Sequence, residues 1–165
     1  FRDGHPERAA FDAYITATSG NLMRLAATAL GASGDSQAVI ADFGYGVGVA
    51  NLLRALPTLY ANGRHPIPVD CALDRNAVAG AEVPENLAQS LLENTRDAQV
   101  KVATARGVRN SVPTSATPAM LVGWHVSPTL KLVHNQPYDT LRQPLDTSDF
   151  RKKLSLLWRS STGRW

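Results

Sequence analysis

The chain of 165 residues is 44% hydrophobic and 19% charged, which excludes disorder and sets one globular domain, spanning 1–165, as the expectation. Its net charge of +3 is too mild to argue for a nucleic-acid partner, though it permits contact with an anionic membrane. A single cysteine, Cys71, excludes a disulfide framework and fits a reducing compartment.

Phe1 to Pro6 reads as a polar turn, with Pro6 suited to a first helical position. Glu7 to about Leu30 is patterned as a helix. Phe11, Tyr14, Ile15, Leu22, Leu25, Ala26 and Ala29 supply its apolar face, and Gly31 its C-terminal cap. Asp35 or Ser36 caps a second helix, whose stripe of Val39, Phe43, Val47, Ala50 and Arg54 recurs at steps of three and four. Pro57 is expected to end or kink it near Leu56, because proline lacks the N–H and crowds the preceding turn. Gly44, Gly46 and Gly48 alternate within this helix. With no strand before them and the wrong spacing, they are not a dinucleotide-binding loop. At roughly 1 kcal/mol each against alanine, they thin the helix surface so that a neighbour or a lipid approaches closely.

Asn62-Gly63 is a turn dipeptide leading to Pro66-x-Pro68, and Asp70 to Val83 reads as a loop with solvated Asp70 and Asp74. Pro84 opens a third helix, Glu85 to about Arg106, with Leu87, Leu91, Leu92, Ala98, Val102 and Ala105 as its apolar set. After a Ser-, Thr- and Pro-rich linker, Thr117-Pro118 starts a fourth helix to about His134, with a kink expected at Pro128. His125 and His134 have no cysteine or acid between them and lack a recognised ligand spacing, so no metal and no cofactor is expected. No Ser-His-Asp, C-x-x-C or phosphate-loop motif supports hydrolytic chemistry, and no apolar run approaches the roughly 18 residues of a membrane span. No secretory leader is visible.

A proline-interrupted connector leads to a last helix, capped by Thr147 or Ser148 and ended by Gly163. Phe150, Leu154, Leu157, Trp158 and Ser161 form its apolar face, while Arg151, Lys152, Lys153 and Arg159 crowd the remainder. Such a helix either meets an anionic membrane or a partner groove, or packs on its own core with a solvated basic side.

The stretch from Asp42 to Pro68 resembles the second signature of the squalene/phytoene synthase family, roughly D-L-G-x-A-x-Q-L-x-N-I-L-R-D-x-x-E-D-x-x-x-G-R-x-Y-L-P. Asp42, Gly44, Asn51, Leu53, Arg54, Gly63, Arg64 and Pro68 match without gaps. Ala55, Thr58 and Leu59 stand where the family has carboxylates, and Gly48 where it has glutamine. Tyr14 to Met23 is similar to the family's Y-x-x-x-x-x-G-x-L-M helix. The ending L-L-W-R-S-S-T-G-R-W resembles phytoene-synthase-like proteins that have lost catalytic acids.

The resemblance implies an all-α, prenyl-synthase type domain of five or six helices. It would be represented here by the middle and C-terminal helices, with an upstream segment carrying the first aspartate-rich motif. Tyr14, Thr18, Gly20, Gly44 and Gly48 would border a prenyl or lipid cavity, or else only permit close helix packing. Asn51, Arg54 and Arg64 would touch diphosphate oxygens in a synthase; without the acids, they cap the helix end and pin the loop to Pro68. Mg²⁺ is held by carboxylates plus substrate phosphate, and Ala55, Thr58 and Leu59 offer no charge for it. Asp42 lies roughly 20 Å back along the helix and is no substitute.

The implied function is therefore that of a catalytically degenerate accessory or assembly subunit of a membrane protein complex, with respiratory complex I favoured. Phe150, Arg151, Lys152, Lys153, Leu154, Trp158 and Trp165 would contact partner or anionic lipid. The implied location is peripheral, at the cytoplasmic face of a bacterial inner membrane or, alternatively, in the mitochondrial matrix. An active head-to-head prenyltransferase of carotenoid or squalene synthesis and an isoprenoid- or lipid-binding module are the competing readings.

Overall fold

From Phe43 to Ala50 the second long helix is small or apolar on every side, and every one of those residues is buried. A helix apolar all round belongs at the centre of a fold. A computed structural model describes residues 7–69, 83–142, 145 and 148–165. It places this helix, α3 (Ser36–Ala61), among α1 (Arg8–Ile15), α2 (Asn21–Ala29), α4 (Glu85–Gly107), α5 (Thr117–Met120), α6 (Val126–Asn135) and α7 (Asp149–Thr162). Among the described residues there is no strand. The architecture is the expected all-α one. Phe1–Pro6, most of the Asp70–Val83 loop with Cys71, and Thr147 as a cap lie outside the described residues.

α3 packs on α4 along one side and on the α1–α2 segment along the other, with α6 closing over α3 and α4. By length and composition α3 is apolar enough to cross a membrane, with a mean hydropathy of 1.3 in an 18-residue window. This corrects the expectation that no stretch approaches such a span. The window is 61% buried inside the protein's own fold, as suits a core helix.

α1 and α2 are joined by a π-helical turn, Thr16–Gly20, so 8–29 is one continuous rod. A π turn admits one extra residue, which rotates everything after it by about 100°. The buried positions beyond it are Met23 and Ala27, not Leu22, Leu25, Ala26 and Ala29 as simple periodicity predicts. Leu22 is 67% and Leu25 69% exposed.

The glycines of α3 serve two opposite contacts. A Cβ on Gly48 would lie 2.7 Å from Ser19 Cβ, and one on Gly44 would lie 3.0 Å from Gly20 Cα, so both face the π turn. A Cβ on Gly46 would overlap Val102 of α4. The helix does not stop at Pro57; it runs on to Ala61. Proline removes only one backbone bond there, while Leu56 and Tyr60 on either side of it are buried. The true stop is Gly63 at φ +67°: its N–H donates to the Tyr60 carbonyl, and that of Arg64 donates to Leu59 at 2.9 Å. Gly31 ends α2 in the same way at φ +91°.

The expected fourth helix is broken by a 3₁₀ stretch, Leu121–His125, and not at Pro128. Pro128 lies in the first turn of α6, where its missing N–H has no intrahelical partner to lose. Gly123 in the 3₁₀ stretch lies so close to the Phe43 ring that a Cβ would overlap it.

Ser148 Oγ caps α7 by accepting from the Arg151 N–H at 3.4 Å, and Gly163 ends it at φ +64°. No residue of α7 is buried. Its main contact is with the 3₁₀ stretch Leu121–His125. Phe150 (74%), Leu154 (55%), Leu157 (67%) and Trp158 (64%) are exposed, which removes the alternative of an apolar face packed on the core.

Candidate ligand cavity

Four segments surround a cavity of about 900 Å³. The π turn and α2 contribute Ser19, Leu22, Met23 and Ala26; α3 contributes Val47, Asn51 and Arg54. Pro118, Ala119, Leu121, Val122, Trp124 and His125 line it from α5 and the 3₁₀ stretch, and Asp149, Lys152 and Leu156 from α7. The lining is mostly apolar with a few polar groups, and its volume is that of an ordinary small-ligand site.

The phase shift in the π turn builds this cavity. It turns Leu22 and Ala26 off the α2–α3 contact and into the cavity lining, while Gly44 and Gly48 draw the two helices together next to it. Gly20 is buried in that contact, Tyr14 packs partly buried on the core, and Thr18 is exposed, its hydroxyl donating to the Tyr14 carbonyl at 2.7 Å. None of Tyr14, Thr18, Gly20, Gly44 and Gly48 lines the cavity. They shape the helix contact beside it.

His125 is the least conventional lining group. It is 4% exposed, and neither ring nitrogen has a hydrogen-bond partner among the protein groups. Burial first, and then the positive charge of Arg54, push its pKa down to about 4, against a smaller opposing effect of the Val122 carbonyl, which lacks the geometry of a hydrogen bond. The imidazole is neutral at physiological pH. Most buried polar side-chain groups have a partner, so an orphaned imidazole on a cavity wall is the structure's clearest sign of a polar ligand atom. In the sequence His125 stands out only beside His134, a pair without a recognised ligand spacing. No local signal marks it, because its neighbours come from α3 and α7.

Of the family-signature residues, Asn51 and Arg54 line the cavity. Ala55 and Leu59 are half-buried, Thr58 and Arg64 are exposed, and none of the four lines it. Leu59 and Arg64 meet instead through the backbone bond that ends α3. Asp42 accepts from Lys101 Nζ at 2.7 Å, and that ammonium also stands over the Tyr45 ring. The Tyr45 hydroxyl donates to Asp12 at 2.6 Å; burial, then this carboxylate, raises its pKa. These polar contacts tie α3 to α4 and to α1.

Lys152 is exposed and also lines the cavity, whereas Trp165 is buried edge-on against Phe43 with ring centroids 4.5 Å apart. The apolar pocket beside Phe43 takes Trp165 away from the contacting surface that the sequence predicts for it. Phe150, Leu154 and Trp158 stand exposed with Arg151 and Lys153.

A divalent cation does not fit this lining. Asp149 is its single carboxylate, and among the described residues no three His, Cys, Asp or Glu side chains gather. Hard cations of the Mg²⁺ type need more oxygen charge than that. A family model described as squalene/phytoene synthase matches residues 2–158. No curated protein and no solved structure matches the chain.

Proposed function

The chain belongs to the squalene/phytoene synthase family, and from that premise we propose that it is a catalytically degenerate member. Its role is that of an accessory or assembly subunit of a membrane protein complex, with respiratory complex I as the favoured partner. The observation that carries this is the chemistry at the end of α3. Ala55, Thr58 and Leu59 occupy the positions of the family's metal-binding acids, and the neighbouring cavity offers one carboxylate. Without metal charge to neutralise it, a diphosphate leaving group has no route to ionise.

The likeness of the tail to relatives that have lost catalytic acids is what favours complex I as the partner in this reading, and the exposed apolar and basic α7 supports a peripheral seat on a membrane. The cytoplasmic face of a bacterial inner membrane is the first location, the mitochondrial matrix the second. Purification of the native protein from mild-detergent membranes, with mass spectrometry and a farnesyl or geranylgeranyl diphosphate turnover assay, tests the proposal. Stoichiometric recovery of complex I subunits without turnover is expected. Isolation alone, with turnover, overturns it and restores a head-to-head prenyltransferase.

The cavity of about 900 Å³ favours a second, compatible reading, an isoprenoid- or lipid-binding module. An apolar tail would fill the Leu22, Val47 and Leu156 side, and a polar head would meet His125 and Asn51. Organic extraction of the purified protein is expected to release one such molecule per chain.

A further inference from the structure

A second, shallower pocket lies against a neighbouring face of α7. Its volume is about 340 Å³, and its charged lining is Arg106, Arg109, Arg159 and Arg164, with Ser155 and Trp158 beside them. Trp165 completes the lining, and none of the lining side chains is acidic. Arg106 donates from Nε to the Trp165 main-chain oxygen at 2.8 Å and from Nη1 to Ser127 Oγ, which leaves its buried Nη2 without a partner. Arg159 is held by Ser155 at 3.3 Å. Burial, then the charge of Arg159, lowers the Arg106 pKa to about 10, so these guanidinium groups sit together at a cost. Arginine forks match the oxygens of a phosphate, the ligand that relieves such crowding.

Trp158 lines this pocket and also belongs to the exposed stripe of Phe150, Leu154 and Leu157. At 3.6 residues per turn, Arg151 and Lys153 fall on the two flanks of that stripe. Apolar side chains between rows of cations, with an indole at the boundary, are the pattern of a helix lying in a bilayer interface. The arginine pocket opens at the edge of the stripe, where headgroups stand.

We propose that α7 lies on an anionic bilayer with Phe150, Leu154, Leu157 and Trp158 inserted, and that a lipid headgroup phosphate occupies the pocket of Arg106, Arg109, Arg159 and Arg164. This rests on the peripheral membrane seat proposed above and adds a specific site to it. The surface is complementary to phosphate-bearing lipid in both charge and apolar content.

Vesicle co-sedimentation of the full chain tests it, with phosphatidylcholine alone against phosphatidylcholine doped with phosphatidylglycerol. The first variant is Arg109→Gln with Arg164→Gln, both exposed and outside the core. The control is Arg96→Gln with Lys131→Gln, two exposed cations that do not line the pocket. Binding only to the doped vesicles is expected. The pocket variant should lose about thirtyfold in partitioning, at roughly tenfold per 1.4 kcal/mol and about 1 kcal/mol per surface cation, and the control markedly less. Equal losses in the two variants overturn the pocket and leave the membrane seat standing. No binding to either vesicle overturns both. Saturable binding of inorganic phosphate by calorimetry, lost in the pocket variant and without vesicle binding, makes free phosphate the ligand and overturns the headgroup assignment.

Discussion

Replacing His125 by leucine should remove a pH dependence of stability that the native protein carries. The unfolded imidazole takes its proton near pH 6.5, whereas the folded one resists until about 4. Between these values the unfolded state binds more protons, so stability falls as pH falls. Above the window both states are neutral and nothing is lost; below it the whole difference, about 3 kcal/mol, has gone. Between about pH 7 and about pH 5 the loss is about 2 kcal/mol for this one group. Urea unfolding at both pH values, on wild type and on His125→Leu, isolates it from the carboxylates, which titrate alike in the two proteins. With a slope of about 2 kcal/mol per molar urea, the wild-type midpoint should fall by about 1 M more than that of the variant. Parallel losses, within about 0.5 kcal/mol, would refute the claim that His125 is buried neutral and unpartnered.

Gly48→Ala puts a methyl group against Ser19 and Ile15 at the π turn. Overpacking of about 1–3 kcal/mol outweighs the roughly 1 kcal/mol of helix propensity gained, so a lower melting temperature is expected, and a raised one contradicts the close contact. Lys101→Met breaks a pair with Asp42 that is two-fifths exposed on each side, and should cost under about 1 kcal/mol in a denaturant titration. A larger loss would make the pair a principal link between α3 and α4. Ala55→Asp, Thr58→Glu and Leu59→Asp together should create Mg²⁺ affinity measurable by calorimetry. Mg²⁺-dependent diphosphate binding by the unaltered chain would sink the degenerate-enzyme proposal.

The helices were legible wherever burial followed a local repeat. Leu87, Leu91, Ala98, Val102 and Ala105 repeat at helical spacing, and each is buried in α4. Gly31, Gly63 and Gly163 all take positive φ at or just past a helix end, because glycine reaches that conformation without Cβ strain. Legibility failed where one local feature changed the phase of everything after it. Nothing in Thr16-Ala-Thr-Ser-Gly20 signals an extra residue in the turn; it is favoured by the approach of Gly44 and Gly48, some thirty residues later. A reading by periodicity therefore assigned Leu22 and Leu25 to the core. Pro57 and Pro128 misled for a related reason: a proline's cost depends on which carbonyl would have received its N–H, and only the final helix register decides that.

The cavity was the least legible part, and the reason is geometric. Its walls come from α2, α3, α5, the 3₁₀ stretch and α7, so no window of sequence holds more than a fragment of it. Asn51 and Arg54 were visible because a family signature fixes their spacing, while His125 acquires its character only when α3 brings Arg54 to it and burial strips its water. The signature also misdirects slightly. Its glycine, Gly44, marks where helices touch, and the space for a ligand opens one residue to the side, at Ser19 and Leu22. On the proposed reading, Ala55, Thr58 and Leu59 in place of acids would remove metal-binding charge from α3 without touching the helix contact at Gly44 and Gly48. A scaffold built this way can shed its chemistry and still keep its packing, its cavity and the exposed face of α7, which are what a partner or a membrane would use.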